Sequence, residues 1–90
     1  MAEYPSSHVI SVAFRADKRD GEIVAVFSGD IDGATGELLA YAHKGQHCHV
    51  TRGYYSQYTR PATWTEYAPL LAELRTRYYF VHIVKRVRWV

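Results

Sequence analysis

From His8 to Phe14 the chain alternates in the period of a β-strand. Ile10, Val12 and Phe14 fall on one side, and Val9, Ser11 and Ala13 on the other. The polar run from Ala16 to Gly21 ends in Asp20-Gly21, a hairpin signal. Glu22 to Ser28 follows as the partner strand, with Ile23, Ala25 and Phe27 facing one way. Gly29 to Gly36 carries three glycines and two aspartates and is expected to break regular structure. Leu38 to Lys44 makes a third strand, ended by Gly45, after which residues 45–49 read as a turn.

The period changes in the second half. Thr51 is placed to cap a short helical turn in which Tyr54, Tyr55 and Tyr58 share one side. Arg60-Pro61 then imposes extended backbone. Thr63-Trp64-Thr65-Glu66 matches a capping box, in which each end residue satisfies a backbone donor of the other. Behind it Tyr67, Leu70, Leu71, Leu74 and Tyr78 recur at helical spacing and form one apolar stripe. Pro69 inside this helix is expected to kink or loosen its first turns. Tyr79 to Trp89 reads as a long last strand, with Val81, Ile83 and Val87 on one face and His82, Val84 and Arg86 on the other.

The order β-β-β-(short α)-α-β predicts a single α+β domain over residues 1–90. Its sheet is mostly antiparallel, of about four strands, with one main helix packed on one face. Hydrophobic residues make up 48% of the 90, enough for a globular chain rather than a disordered one. Eight tyrosines suit a core with a wet edge or an interface, because each couples an apolar ring to a polar tip. Packed into so small a domain, this apolar content predicts self-association, with a homodimer as the expected form. Cys48 is the sole cysteine, which excludes an internal disulfide. No stretch has the form of a secretion signal or the length of a membrane span, so the expected location is the cytoplasm, with no membrane partner.

The densest polar cluster is His43-Lys44-Gly45-Gln46-His47-Cys48-His49. Imidazole and thiolate are metal ligands, but the spacing matches no common zinc pattern, so neither a metal nor a cofactor is expected. A cysteine hydrolase centred on Cys48 is disfavoured, because histidines adjacent in sequence on a strand point to the opposite face. A small buried thiol is the simpler reading of Cys48. The glycines at 29, 33 and 36 match no phosphate-binding loop.

Charge is unevenly spread. Residues 1–41 hold three bases and seven acids, and residues 42–90 hold eight bases and two acids. Arg75, Arg77, Lys85, Arg86 and Arg88 are interleaved with Tyr78, Tyr79, Phe80 and Trp89. Bases neutralise phosphates and aromatic rings stack on nucleobases, so nucleic acid is the second reading of function. The first is a non-enzymatic binding module for a protein or small molecule. Its pocket or partner face would be built from His43, Gln46, His47, Tyr54, Tyr55, Tyr58 and Arg60, gathered by the loop after the third strand. A small metal-binding or hydrolytic enzyme centred on His47, Cys48 and His49 is the reading from another class.

Three stretches carry a resemblance: Tyr41-Ala42-His43-Lys44-Gly45-Gln46-His47, then Thr59-Arg60-Pro61-Ala62-Thr63, then Glu66 to Leu74. Together they resemble small uncharacterised proteins encoded on mobile DNA, namely phages, plasmids and integron gene cassettes. The resemblance implies an accessory protein of the bacterial cytoplasm and suggests no reaction.

Overall fold

The computed structural model describes residues 9–31, 35–42, 46–78 and 80–87. Strands β1 (Val9–Asp17) and β2 (Ile23–Ile31) form the hairpin that the Asp-Gly pair signals. Asp17 N–H donates to the Glu22 carbonyl at 2.8 Å, and Gly21 N–H donates to the Asp17 carbonyl at 2.7 Å. Gly21 sits at φ 77°, a conformation that costs a residue without a Cβ little. The register sets Val12 opposite Phe27 and Phe14 opposite Ala25, so the two apolar rows lie on the same face.

β2 runs on to Ile31, past the point where its glycines were expected to end it. The register with β3 (Leu38–Ala42) shifts between Val26 and Ile31, and Gly29 at φ 76° lies in that irregular stretch. A bulge absorbs the glycine where a break was expected. Residues 46–49 do not turn. Gln46–Val50 is a fourth strand, β4, antiparallel to β3 and at the sheet's outer edge.

Among the described residues the sheet has six strands where the sequence suggested about four, in the order β4-β3-β2-β1, with two short strands sharing the far side of β1. β5 (Thr59–Pro61) pairs antiparallel with Arg15 to Asp17. β6 (Phe80–Ile83) pairs parallel with Val9 to Val12. Their carboxyl ends meet at the middle of β1, where Ala62 N–H donates to the Phe14 carbonyl at 2.9 Å and Val84 N–H donates to the Val12 carbonyl at 2.8 Å. β6 is therefore shorter than the long strand expected from Tyr79 to Trp89. Beyond Val12 the outer edge of β1 is already taken by β5, and the chain departs after Ile83.

One helix, α1 (Trp64–Arg75), links β5 to β6 across one face of the sheet. Its capping box is present, with Thr63 N–H donating to the Glu66 carboxylate at 2.8 Å. The helix continues through Pro69. Pro69 is exposed, which leaves the helix carbonyl it cannot satisfy within reach of water. Leu70, Leu71 and Leu74 are buried against Val12, Phe14, Ala25, Phe27, Tyr41 and Val81. Tyr67 stacks on Phe14 at 4.3 Å, and Tyr78 meets Phe27 edge-on at 5.9 Å. Each leucine so buried contributes about 1.5–3 kcal/mol through apolar area removed from water.

The opposite face is also covered. Ala13, Val24, Val26, Leu38, Ala40 and Val50 pack with Tyr55 and Val87, and with half-buried Tyr54 and Val84. These covering residues come from a single π-helical turn, Tyr54–Tyr58, and from the chain after β6. Among the described residues, no helix is long and apolar enough to cross a membrane.

Candidate functional site

The turn that carries the tyrosines begins where Thr51 was expected to cap it. The Thr51 hydroxyl accepts from Tyr54 N–H at 3.0 Å, and its carbonyl accepts from Tyr55 N–H at 3.0 Å. A π-helical turn is wider than an α-helical one, so residues four apart come almost into line. Tyr54 and Tyr58 accordingly stack, with ring centres 6.2 Å apart and planes 24° apart. Tyr55 turns inward and is buried on the sheet. The three rings thus do not share one side, as helical spacing had suggested.

Arg15 anchors the turn from below. It is buried, and its guanidinium lies 4.2 Å from the centre of the Tyr55 ring. Its Nε donates to the Thr59 hydroxyl at 2.9 Å, and a terminal nitrogen donates to the carbonyls of Tyr55 and Thr59 at 3.2 and 3.1 Å. A charge held away from water needs such partners. They fix the end of the turn and the start of β5 to the middle of the sheet.

Asp17, at the end of β1, organises the outer side. Its carboxylate accepts from Arg19 through the backbone N–H at 2.8 Å, Nε at 3.1 Å and a terminal nitrogen at 2.9 Å. It also accepts the Tyr54 hydroxyl at 2.7 Å. The Arg19 contacts, and then the Tyr54 bond, hold the Asp17 carboxyl well below the usual carboxylate range. Burial and the same carboxylate push the Tyr54 phenol up to about 12. The Arg19 guanidinium stands 5.7 Å from the centre of the Tyr58 ring. The Arg19 side chain is 69% exposed and Tyr58 49% exposed. The outcome is an array in which the exposed Arg19 guanidinium and Tyr58 ring stand beside the half-buried Tyr54 ring.

A groove of about 260 Å³ adjoins this array, lined by Glu22, Val24, Cys48, His49, Val50 and Tyr54 among others. Tyr54 thus joins β4 to the array. Cys48 is exposed rather than the small buried thiol expected, because its strand lies at the sheet edge. Partial burial, and then the Glu22 charge, push its thiol up, away from the thiolate form that a nucleophile or metal ligand needs. Among the described residues, no three His, Cys, Asp or Glu side chains gather to hold a metal ion.

The remaining candidates are dispersed. Arg60 lies apart from the tyrosines and pairs with Glu66 at 2.9 and 2.6 Å, clamping β5 to the start of α1. That pairing, and then the Thr63 N–H, draw the Glu66 carboxyl down to about 2. His43 lies outside the described residues, and of Gln46 and His47 only the backbone is described, opposite Ala42 and Tyr41. Arg75, Arg77, Lys85 and Arg86 are exposed, and Arg88 lies outside the described residues. The Arg77 guanidinium sits 5.3 Å from the centre of the Tyr41 ring on β3, whereas Lys85 lies beside Phe14 and Pro61 at the far edge. Three inter-strand steps, about 14 Å, separate β3 from that edge, so these residues do not form one continuous basic strip.

Sequence reasoning missed Arg15, Asp17 and Arg19. They sit in and just after the first strand, 35 to 44 positions before the tyrosine turn and the start of β5, and no local pattern links them to it. Their one signal was the polarity of Arg15 and Asp17 inside a strand whose other face is apolar. No protein family, curated protein or solved structure matches the chain.

Proposed function

We propose that this chain is a non-enzymatic binding module that presents the Arg19–Tyr54–Tyr58 face to a protein partner. The observation that carries the proposal is the ordering of that face by Asp17. Tyrosine and arginine are the residue types enriched where protein interfaces gain most of their energy. Side chains already held in place lose little freedom on binding, which removes part of the cost of association. The Asp17 carboxylate spends its acceptors on Arg19 and Tyr54, and the Cys48 thiol is driven toward its neutral form. Both fit recognition better than group transfer.

We further propose that the module acts as a homodimer. Val9, Phe80 and Ile83 are large and exposed, on β6 and on the start of β1 with which it pairs. An edge strand with apolar side chains invites pairing with a second copy. We also propose, from the resemblance carried by Tyr41 to His47, Thr59 to Thr63 and Glu66 to Leu74, that such a module is an accessory protein of mobile DNA in the bacterial cytoplasm. The nucleic-acid reading draws its support from the exposure of Arg75, Arg77, Lys85 and Arg86, and is weakened by their separation across the sheet.

Photocrosslinking tests the proposal. With the photoreactive amino acid benzoylphenylalanine at position 58, irradiation in a bacterial lysate should yield one discrete protein adduct. That adduct should vanish when Arg19→Glu is added, and the same probe at position 75 should not form it. Identical adducts from both positions, or none at 58, would overturn the reading.

A further inference from the structure

The two strands that share the outer edge of β1 leave a gap between them. β5 ends at Pro61 and β6 at Ile83, and the backbone turns away from the sheet on each side. A crevice of about 470 Å³ opens at that point, beside Tyr67 of α1. Phe14 and the half-buried Tyr67 stack in parallel in its lining, with planes 5° apart. Pro61 and Ala62 form one wall, Ile83 and Val84 the other. The volume is that of a small-molecule site.

Charge selects among small molecules. Lys85, at the end of the second wall, is the one charged residue in the described lining. The nearest acid in sequence to the first wall, Glu66, is paired with Arg60 at 2.6 Å. A cation beside apolar and aromatic walls is complementary to an anion carried on an apolar ring.

We propose that the β5–β6 crevice binds an aromatic monocarboxylate. The ring lies between Ala62 and Ile83 against the Phe14–Tyr67 pair, and the carboxylate accepts from the Lys85 ammonium. This site is separate from the tyrosine–arginine face, so either stands if the other fails. The crevice is preformed by strand pairing, because its walls are the last paired residues of β5 and β6, Pro61 and Ile83, and the residues that follow them, Ala62 and Val84, whose N–H groups still bond to β1.

Naphthylacetate serves as the probe, with naphthylethanol as its neutral counterpart, followed by methyl resonances in NMR titrations. Naphthylacetate should shift the Ala62, Ile83 and Val84 methyls saturably at millimolar concentration. Lys85→Gln should weaken naphthylacetate by about fivefold, the scale of an exposed ion pair, and leave naphthylethanol unchanged. Lys85 is exposed, so this substitution spares the fold. No saturable shift at those methyls would overturn the proposal. So would equal naphthylacetate affinity in the parent and Lys85→Gln, or an equal loss for both probes.

Discussion

On one face of the sheet Phe14, Phe27 and Tyr41 meet Leu70, Leu71 and Leu74 from a single regular helix. On the other, Ala13, Ala40, Val24 and Val26 meet Tyr55 and Val87, which arrive on segments with no repeating pattern. The helix face is held chiefly by apolar area, with polar contacts only at its rim, from Arg60 to Glu66 and from the Tyr41 hydroxyl to Glu73. The tyrosine face is held as well by a buried arginine and by a carboxylate at its rim. Small side chains on that second face let a single turn of chain lie close to the sheet. The same turn then presents to solvent the rings it does not bury. One face completes the core, and the other spends part of its residues on a surface.

Truncation should separate the two faces. Leu74 is fully buried in the helix stripe, so Leu74→Ala should cost about 2–5 kcal/mol in chemical denaturation. A smaller loss is expected from the anchor of the opposite face. Arg15→Met keeps the apolar stem but removes three hydrogen bonds, and should cost about 2 kcal/mol by the same measurement. If Arg15→Met were neutral, the buried guanidinium would add nothing to the hold on the turn, and the contrast between the faces would collapse.

Acid titration sharpens the comparison at its charged rim. Asp17 and Glu66 both have folded pKa values below their unfolded ones. Their contribution is complete above the unfolded carboxylate range and is lost as pH falls through the folded values, about 2 for Glu66. Between about pH 5 and about pH 2 the melting temperature of the parent should therefore fall more steeply than that of an Asp17→Asn, Glu66→Gln double variant. Parallel curves would mean that neither pair adds to stability. Exposure of Arg19 and Arg60 keeps this effect smaller than either truncation.

The sequence made the helix face legible and the tyrosine face only in part. Ile10, Val12 and Phe14, then Ile23, Ala25 and Phe27, then Leu70, Leu71 and Leu74 repeat at the periods of their elements, and all pack together. β4 escaped notice because an edge strand has little to bury. Of Gln46-His47-Cys48-His49-Val50, Cys48 and His49 are exposed and Val50 is buried. β5 is three residues long and exists through its pairing with β1, a tertiary cause with no local pattern. The length of β6 was overread for a related reason, since alternation continues beyond Ile83 but the edge of β1 does not remain free. At the candidate site, the tyrosines announced themselves by type and spacing. The residues that orient them, Arg15, Asp17 and Arg19, are brought there by the fold.

One short turn buries one ring in the fold and, in the function proposed above, offers another for recognition; paired thermal denaturation of Tyr55→Ala and Tyr58→Ala is the sharpest check on that division. Tyr55 is buried beneath the turn and Tyr58 is half exposed above it. Tyr55→Ala should lose about 3 kcal/mol. Tyr58→Ala should change stability by no more than about 0.5 kcal/mol. A Tyr58→Ala loss as large as that of Tyr55→Ala would contradict that division, because Tyr58 would then be a ring the fold needs.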